Sequence, residues 1–378
     1  MDNLTHSLVG LSLSKAGLER LSPYATTVCL ISANAADSDS LVLLFGDRWT
    51  ALEHHRGITH SILGTIVIGV LIPILALLIE RLIGLMRKRP PQIRIGGLIA
   101  ASLIAAATHP FLDWTNNYGV RPLLPWSPTW LYGDLVFIMD PYIWLVLGGA
   151  AFLLTSNTRL RTISWGALAV LILAVMVIVS RQRGLGRTAV LVALCVWIVG
   201  VAALTFIKIS RKPKSFGRAP AFAALIFLLL YWGSLWFIHN RALDTASQVA
   251  HQLAGARNEQ VLKVAAMPSA ANPFRWQSLA ETDRAMYKYD VALGAANAQG
   301  AIEHFEKPQG PAAQLLAIAQ RDRRAGILFG FARFPAVAVE DPNCLGRTLV
   351  QIADLRYTEP GRARANFSVS IPVDCPTR

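Results

Sequence analysis

The sequence predicts an all-α, multi-pass membrane helical bundle followed by a small, soluble, β-rich α+β domain at the C-terminus. Three observations predict this fold class. Hydrophobic residues make up 53% of the 378 residues and charged residues only 16%, whereas a soluble domain carries about 25% charged residues. Long apolar runs recur through roughly the first two thirds of the chain. Beyond them the apolar stretches are short and often alternate with polar residues.

The apolar runs have the length that a helix needs to cross a bilayer, about 18–25 residues. Met1–Asp39, which precedes them, is predicted to form a hairpin of two half-polar helices that meet at Ser22-Pro23. Ile95–Thr108 is shorter and rich in small residues, which is typical of a helix packed inside a bundle. The five predicted spans are Ser61–Leu85, Leu135–Thr155, Ile163–Ser180, Ala189–Ile207 and Ala219–Ile238.

These patterns divide the chain into two predicted domains. Residues 1–240 form the membrane domain, with the chemistry within residues 1–141 and scaffold spans in residues 142–240. Residues 241–378 form the soluble domain, where Cys344 and Cys375 are able to pair in an oxidising compartment or to remain as two thiols. The short apolar stretches predicted for its α+β core are Val261–Ala266, Tyr287–Leu293, Ile327–Phe334, Thr348–Leu355 and Phe367–Val373.

The net charge of +13 is carried largely by short loops between the apolar runs. Lys and Arg in such loops stay on the cytoplasmic side of the membrane and set the orientation of the chain. The loops at 87–94, 159–161 and 208–218 therefore face the cytoplasm, although Arg181 and Arg183 count against this orientation. Nucleic acid is excluded as a partner, since it would require a folded basic face. The soluble domain is predicted to lie outside the cytoplasmic membrane.

Histidine and acidic residues are confined to one part of the membrane domain. The range 141–238 contains no Asp, Glu or His, whereas residues 1–140 contain five His and seven Asp. Ionisable groups beside membrane spans are costly and tend to mark function. In the predicted orientation, a set of these side chains lies at the extracytoplasmic face. The set, which we predict to be metal ligands, is His6, Asp37, Asp39, His55, His60, His109, Asp113 and Asp140.

Spacing supports this metal site. His109 and Asp113 are four residues apart at the end of an apolar helix, so both project from one face. Asp37 and Asp39 are two apart in a predicted turn, where both carboxylates are able to face one cation. Mixed nitrogen and oxygen ligands are typical of hydrolytic sites with two metal ions. Arg56 and Asp37 are the candidate catalytic residues, and Arg56 would neutralise the charge that develops on the attacked oxygen.

Simpler roles compete with each of these assignments. A single His or Asp at a helix end is often a cap or a hydrogen-bonding partner, and Asp39 before Ser40-Leu41 is one such case. Ser61 beside His60 resembles a nucleophile, but a Ser at the start of a span is more often a capping hydroxyl. For the whole chain, a transporter or metal sensor without hydrolysis is one alternative. A structural anchor with scattered His and Asp side chains is the other.

Four strings in the first 140 residues resemble the YdjM-like family of membrane-bound, metal-dependent hydrolases. One departure is Ala36, which stands where Pro is expected before the aspartate pair. The segment Asn272–Trp276 also resembles members with a longer tail. The strings are Asp2-Asn-Leu-Thr5-His6-Ser-Leu-Val-Gly10, Ala36-Asp37-Ser-Asp39, His55-Arg56-Gly57-Ile-Thr59-His60-Ser61 and His109-Pro-Phe-Leu-Asp113-Trp-Thr-Asn116-Asn-Tyr118-Gly119, followed by Gly133-Asp134 and Asp140-Pro141.

The resemblance implies a metal-dependent hydrolase of the cytoplasmic (inner) membrane. A fainter likeness links the His-x-x-x-Asp helix face to zinc-dependent phospholipase C enzymes, but their second His-x-x-x-Glu is absent from this sequence. We therefore expect one or two divalent ions rather than three, with Zn²⁺ favoured by the His content. The expected substrate is an ester or phosphoester, with membrane lipids or lipid-linked molecules as partners.

Overall fold

The computed structural model describes residues 1–180, 187–210, 216–295, 297–343, 346–362 and 366–375. Several predictions made from the sequence involve residues outside these ranges, namely Arg181, Arg183, Arg211, Lys212, Lys214 and Cys344. The helices are α1 Asn3–Ala16, α2 Ala25–Asn34, α3 Arg48–His54, α4 Ile62–Arg87, α5 Ile95–Trp114, α6 Pro141–Thr155, α7 Arg159–Ser180, α8 Arg187–Ser210, α9 Ala219–Gly255, α10 Pro311–Ala319 and α11 Arg323–Phe331. The strands are β1 Val261–Ser269, β2 Asn272–Thr282, β3 Ala285–Ala292, β4 Gln299–Glu306, β5 Pro335–Val339, β6 Arg347–Asp354 and β7 Ser368–Asp374.

Six helical segments among the described residues are long and apolar enough to cross a membrane. They are Ala25–Leu44, Ile62–Arg87, Ile95–Trp114, Arg159–Val179, Thr188–Ser210 and Ala219–Gly255. The first of them combines α2 with a 3₁₀ segment, Ala35–Leu44. The strands follow these helices in the chain and form two small antiparallel sheets. This confirms the predicted fold class.

The predicted span Leu135–Thr155 is wrong at its beginning, because α6 begins only at Pro141. Asp140 caps this helix and accepts hydrogen bonds from the N–H groups of Tyr142 and Ile143, and Pro141 occupies the first turn. These signals fix a helix start. The apolar residues before them are extended instead, and the Leu135 and Val136 N–H groups donate to the Thr115 carbonyl at the end of α5.

The apolar stretch Ile327–Phe334 begins in a helix, because α11 continues through Phe331. Ala325, Leu328 and Phe331 are its buried residues. Their spacing of three residues places them on one face of a helix. The neighbouring strand β5 begins only at Pro335.

The chain separates into two compact units. The first comprises Met1–Asp39, Arg56–Phe237 and Pro268–Pro273, and it contains the membrane helices up to the first half of α9. Within it α1 packs on α2 and α6, while α5 packs on α2 and α4. Gly10 allows α1 to approach α2 closely, because an added Cβ would lie 2.9 Å from the Ala33 Cβ.

The second unit comprises Ser40–His55, Ile238–Met267 and Phe274–Arg378. The sheet β1-β2-β3-β4 packs on the second half of α9, where the Tyr289 hydroxyl donates to the Ala246 carbonyl at 2.6 Å. The other sheet has the order β5-β6-β7. The short helix α3 belongs to this unit, which the sequence did not indicate, and its Glu53 accepts from Arg323 at 3.1 Å. Cys375 is disulfide-bonded.

Candidate metal centre

Three helix ends bring four ionisable side chains together at one end of the first unit. Asp37 follows α2, His60 ends the 3₁₀ segment before α4, and His109 and Asp113 lie on the last turns of α5. One potential ligand atom from each of these four residues lies within 4.8 Å of the other three. His60, His109 and Asp113 are buried, and Asp37 keeps 20% of its side chain exposed. The cluster is thus able to hold a metal ion that solvent reaches from the Asp37 side.

The distances between these atoms match a tetrahedral ion. The two Nε2 atoms of His60 and His109 are 3.1 Å apart. Asp37 Oδ1 lies 3.5 Å from His60 Nε2 and 3.4 Å from His109 Nε2, and Asp113 Oδ2 lies 3.3 Å and 3.5 Å from the same two atoms. Ligand atoms about 2.1 Å from a tetrahedral Zn²⁺ would lie about 3.3–3.4 Å from one another. Five of the six edges of such a tetrahedron, at 3.1–3.5 Å, therefore lie within about 0.3 Å of this length.

Both histidines are oriented through their other ring nitrogen. The Nδ1 of His109 lies 2.6 Å from the Ala33 carbonyl oxygen, which only accepts hydrogen bonds, so Nδ1 carries the proton and Nε2 faces the cluster. The Nδ1 of His60 lies 3.3 Å from Asp39 Oδ2. Metal-binding histidines almost always donate their second N–H to a carbonyl or carboxylate in this way. Asp39 therefore acts on His60 from outside the group of four.

Negative charge dominates the surroundings of His60. Burial alone would lower the pKa of His60, but its contacts with Asp113, Asp37 and Asp39 outweigh this effect and raise the pKa to about 10. Carboxylates that hold a proton this firmly also favour a bound cation. A divalent ion would replace that proton.

Arg56 fixes the position of Asp113. It is buried, and its Nη2 donates to Asp113 Oδ1 at 3.0 Å while its Nη1 donates to the Asp113 carbonyl, to Asn116 Oδ1 and to the Gly119 carbonyl. The guanidinium also lies over the Tyr118 ring. The α-amino group of Met1 contacts Asp113 Oδ1 as well. Because its terminal nitrogens already face these acceptors, Arg56 is placed to orient Asp113, and its predicted role at a developing oxyanion stays a prediction.

The side chain of His6 lies beside the four residues. Its ring stacks on His109 with centroids 3.8 Å apart, and its Nε2 is 3.4 Å from Asp113 Oδ1. Neither ring nitrogen has a hydrogen-bond partner within the described part of the chain, although the residue is fully buried. Burial lowers the pKa of His6 to about 4, so the ring is neutral. A buried, neutral imidazole with unused nitrogens is a potential metal ligand.

Two of the predicted ligands do not share this arrangement. Asp140 caps α6 and accepts a hydrogen bond from the Tyr231 hydroxyl at 2.9 Å. Burial raises the pKa of Asp140 to about 6. His55 directly follows α3 and belongs to the second unit. The role of both as ligands stays a prediction.

The helix caps occupy other candidate groups. Ser61 caps α4: its hydroxyl donates to the Ile58 carbonyl at 2.7 Å and accepts from the Gly64 N–H at 3.0 Å. Ser61 therefore has the helix-capping role that the sequence offered as the alternative to a nucleophile. Asp2 caps α1 and accepts from Thr5. Sequence reasoning missed the Ala33 carbonyl, for which a side-chain pattern gives no signal, and the buried Asn116, whose place in the string after Asp113 was the available clue.

Comparisons with known proteins agree with a membrane protein of this type. A family model described as the YdjM inner membrane protein matches residues 1–206. Among curated proteins, the chain is similar to the "Uncharacterized protein YfhP" of Bacillus subtilis (strain 168), at 27% identity over 154 residues. That similarity covers 38% of this chain and 43% of the relative, so the chain spans less than half the length of the curated protein it matches. No solved structure matches the chain.

Proposed function

The chain belongs to the YdjM inner membrane protein family, and we propose that it is a membrane-bound, metal-dependent hydrolase. The proposed substrate is an ester or phosphoester of a lipid or lipid-linked molecule. One observation carries the proposal: two His nitrogens and two carboxylate oxygens lie within 4.8 Å of one another, and five of their six separations are 3.1–3.5 Å.

His60, His109, Asp37 and Asp113 are the proposed ligands of one ion. Two imidazoles and two carboxylates in a tetrahedral arrangement favour Zn²⁺. His6 would take part in binding a second ion, and this would satisfy its otherwise unpartnered ring nitrogens. Asp39, the Ala33 carbonyl and Arg56 are positioning groups, because each acts on a ligand rather than at the centre.

A divalent ion bound here would lower the pKa of a water molecule and polarise the attacked oxygen of the substrate. The chain itself supplies the opening and the orientation. Asp37 is the partly exposed ligand, so water reaches the centre from its side. During hydrolysis the water oxygen bonds to the attacked carbon or phosphorus, the bond to the leaving oxygen breaks, and that oxygen takes a proton. The Asp37 carboxylate is placed to accept the proton that the water loses.

The proposed side of the membrane follows from charge. The centre lies at the start of α4 and the end of α5, whereas Arg87, Lys88, Arg89 and Arg94 lie at the opposite ends of these two helices. Since Lys and Arg mark the cytoplasmic side, we place the centre at the extracytoplasmic face. The disulfide of Cys375 agrees with this location for the C-terminal unit, because disulfides persist in oxidising compartments.

The second candidate function is a transporter or metal sensor that uses the same ligands without chemistry. A transport path would require polar groups at several depths, and none of α6, α7 or α8 carries an Asp, Glu or His. The third, a structural anchor, predicts that the His and Asp side chains are separately satisfied. The convergence of Asp37, His60, His109 and Asp113 argues against it.

The test is the metal content of the protein purified in detergent without chelators, measured by elemental mass spectrometry. We expect about one Zn²⁺ per chain in the wild type and its loss in both His60→Ala and His109→Ala, because each removes one of four ligands. His251→Ala is the matched control, since His251 is exposed on α9 in the second unit.

A wild type that retains metal would then be assayed with phospholipids and with water-soluble phosphoesters and esters. Hydrolysis that disappears with the metal and returns when Zn²⁺ is added would support the enzyme. A metal-free wild type, or full metal content in both variants, would contradict the proposed centre. Full metal content without hydrolysis of any tested class would favour the sensor or transporter.

A further inference from the structure

A cavity of about 230 Å³ lies inside the first unit, between α1, α6, α7 and α8. Its walls are almost entirely apolar, with Leu8 from α1, Leu145 from α6, Leu168 from α7 and Val201 from α8. Thr162 and Thr205 are its polar residues toward the cytoplasmic end. Leu8 lies two residues from His6, so α1 turns one face to this cavity and nearly the opposite face to the metal centre. We call this cavity the slot.

The slot is long and narrow. Its wall follows α6 from Trp144 to Phe152 and α7 from Thr162 to Ile172, which corresponds to roughly 12–15 Å at 1.5 Å per residue. Gly148 and Gly166 line it, and the absence of side chains there creates part of the space. The slot thus has the length and shape of an extended hydrocarbon chain.

The outer end of the slot reaches the level of the metal centre. Trp144 lies there, and its indole N–H donates to Asp2 and to the Thr5 hydroxyl at the start of α1. Trp144 also lines a smaller apolar cavity of about 60 Å³, together with Phe137 and Met139. The slot therefore ends beside the start of α1, the helix that carries His6.

We propose that the slot binds an acyl chain of the lipid that the metal centre hydrolyses. This inference rests on the proposed function. The occupant follows from the location, since lipid tails are the apolar molecules that surround these helices, and polar ligands would find almost no hydrogen-bond partner in the slot. A chain seated from Phe152 up to Trp144 would end beside the Trp144 indole, whose N–H contacts Asp2 and Thr5 at the start of α1.

Two glycines allow the slot to be filled without damage elsewhere. An added Cβ at Gly166 meets no described atom within 4 Å, and one at Gly148 meets only Leu8 Cδ1 at 3.9 Å. Gly166→Phe and Gly148→Leu therefore place a side chain where the acyl chain would lie. Gly233→Phe on α9 is the matched control, because its Cβ also meets no described atom within 4 Å and it does not line the slot. Each change replaces a helix glycine, so none is expected to weaken the helix.

The experiment is photo-crosslinking in phosphatidylethanolamine vesicles that contain a phosphatidylglycerol with a diazirine in the middle of one acyl chain. Peptide mass spectrometry then locates the label. We expect labelling of slot residues such as Leu145, Leu168 and Val201 in the wild type and in Gly233→Phe. In Gly166→Phe and Gly148→Leu this labelling should fall to the level of the sample that was not irradiated.

Metal content is measured on the same samples, so that a failure of the acyl-chain site can be distinguished from a failure of the proposed metal centre. Labelling confined to outward residues such as Val170 and Leu171, or unchanged slot labelling in Gly166→Phe, would overturn the acyl-chain site while leaving the metal centre intact. Slot labelling in a metal-free wild type would contradict the hydrolase, and with it the role of the bound lipid as substrate.

A readout of hydrolysis completes the test once a cleaved lipid class is identified. Gly166→Phe should raise the KM for a long-chain substrate and leave the kcat/KM for a short-chain analogue at the wild-type value, because only the long chain needs the slot. Equal effects on both substrates would overturn the assignment.

Discussion

The carboxylate of Asp39 should control metal affinity without being a ligand. It lies 3.3 Å from Nδ1 of His60, the nitrogen that faces away from the cluster, and it also accepts the Arg56 N–H at 2.8 Å. Asp39→Asn keeps an oxygen for that N–H and removes the negative charge behind the imidazole. Removal of such an outer partner typically weakens metal binding 10- to 100-fold, which corresponds to about 1.4–2.7 kcal/mol. Asp37→Asn, which alters a proposed ligand, should weaken binding further.

The assay is competition for Zn²⁺ between the detergent-solubilised protein and a chromophoric chelator. Asp47→Asn serves as the control, because Asp47 is an exposed cap of α3 and Asn caps helices equally well. The expected order of affinity is wild type equal to Asp47→Asn, then Asp39→Asn, then Asp37→Asn. An Asp39→Asn protein that binds as tightly as the wild type, or more weakly than Asp37→Asn, would refute the assignment of ligand and positioning roles.

Three further substitutions test neighbouring groups. Arg56→Met should destabilise the chelator-treated protein by up to about 3–5 kcal/mol, since the buried Asp113 carboxylate loses its guanidinium partner and keeps the Met1 α-amino group; an unchanged thermal unfolding temperature would contradict this. Ser61→Ala should cost about 1 kcal/mol through the lost cap and keep full metal content, whereas loss of hydrolysis at full metal content would indicate a nucleophile. Asp140→Asn should keep the metal, and it should become more stable than the wild type by up to about 3 kcal/mol as the pH rises from about 4 to about 7. The sign follows because burial raises the pKa of Asp140 from 3.8 to about 6. The protonated carboxyl therefore stabilises the wild-type fold fully below pH 3.8, and this stabilisation is lost as the pH rises through about 6. Unfolding temperatures of both proteins at about pH 4 and about pH 7 measure the difference, and loss of metal from Asp140→Asn would instead mark Asp140 as a ligand.

Much of the architecture was predictable because membrane spans leave a strong signal. Apolar length alone located the helices, and the interval of four residues between His109 and Asp113 correctly placed both on one face of α5. Hydrophobicity misled where local signals outweighed it, as at Asp140-Pro141, where a cap and a proline start the helix six residues later than predicted.

The candidate centre was predictable as a set of residue types but not as a geometry. The sequence indicates that His60 and Asp37 belong near one another, yet it contains no measure of the distance between them. It also could not tell which atoms face one another: Asp39 contacts Nδ1 of His60, and Arg56 is buried against Asp113. These distinctions depend on which atom of each side chain faces inward, and that is decided by packing.

The hydrogen bond between His109 and the Ala33 carbonyl has a consequence for mutational scanning. The acceptor belongs to the main chain, so no substitution at position 33 deletes it. A complete library of side-chain variants would detect Asp39 behind one histidine and find no counterpart behind the other. Inserting a single residue into α2 ahead of Ala33 would turn the following carbonyls by about 100° around the helix. An insertion that lowers metal affinity where Ala33→Gly does not would be the genetic signature of this contact.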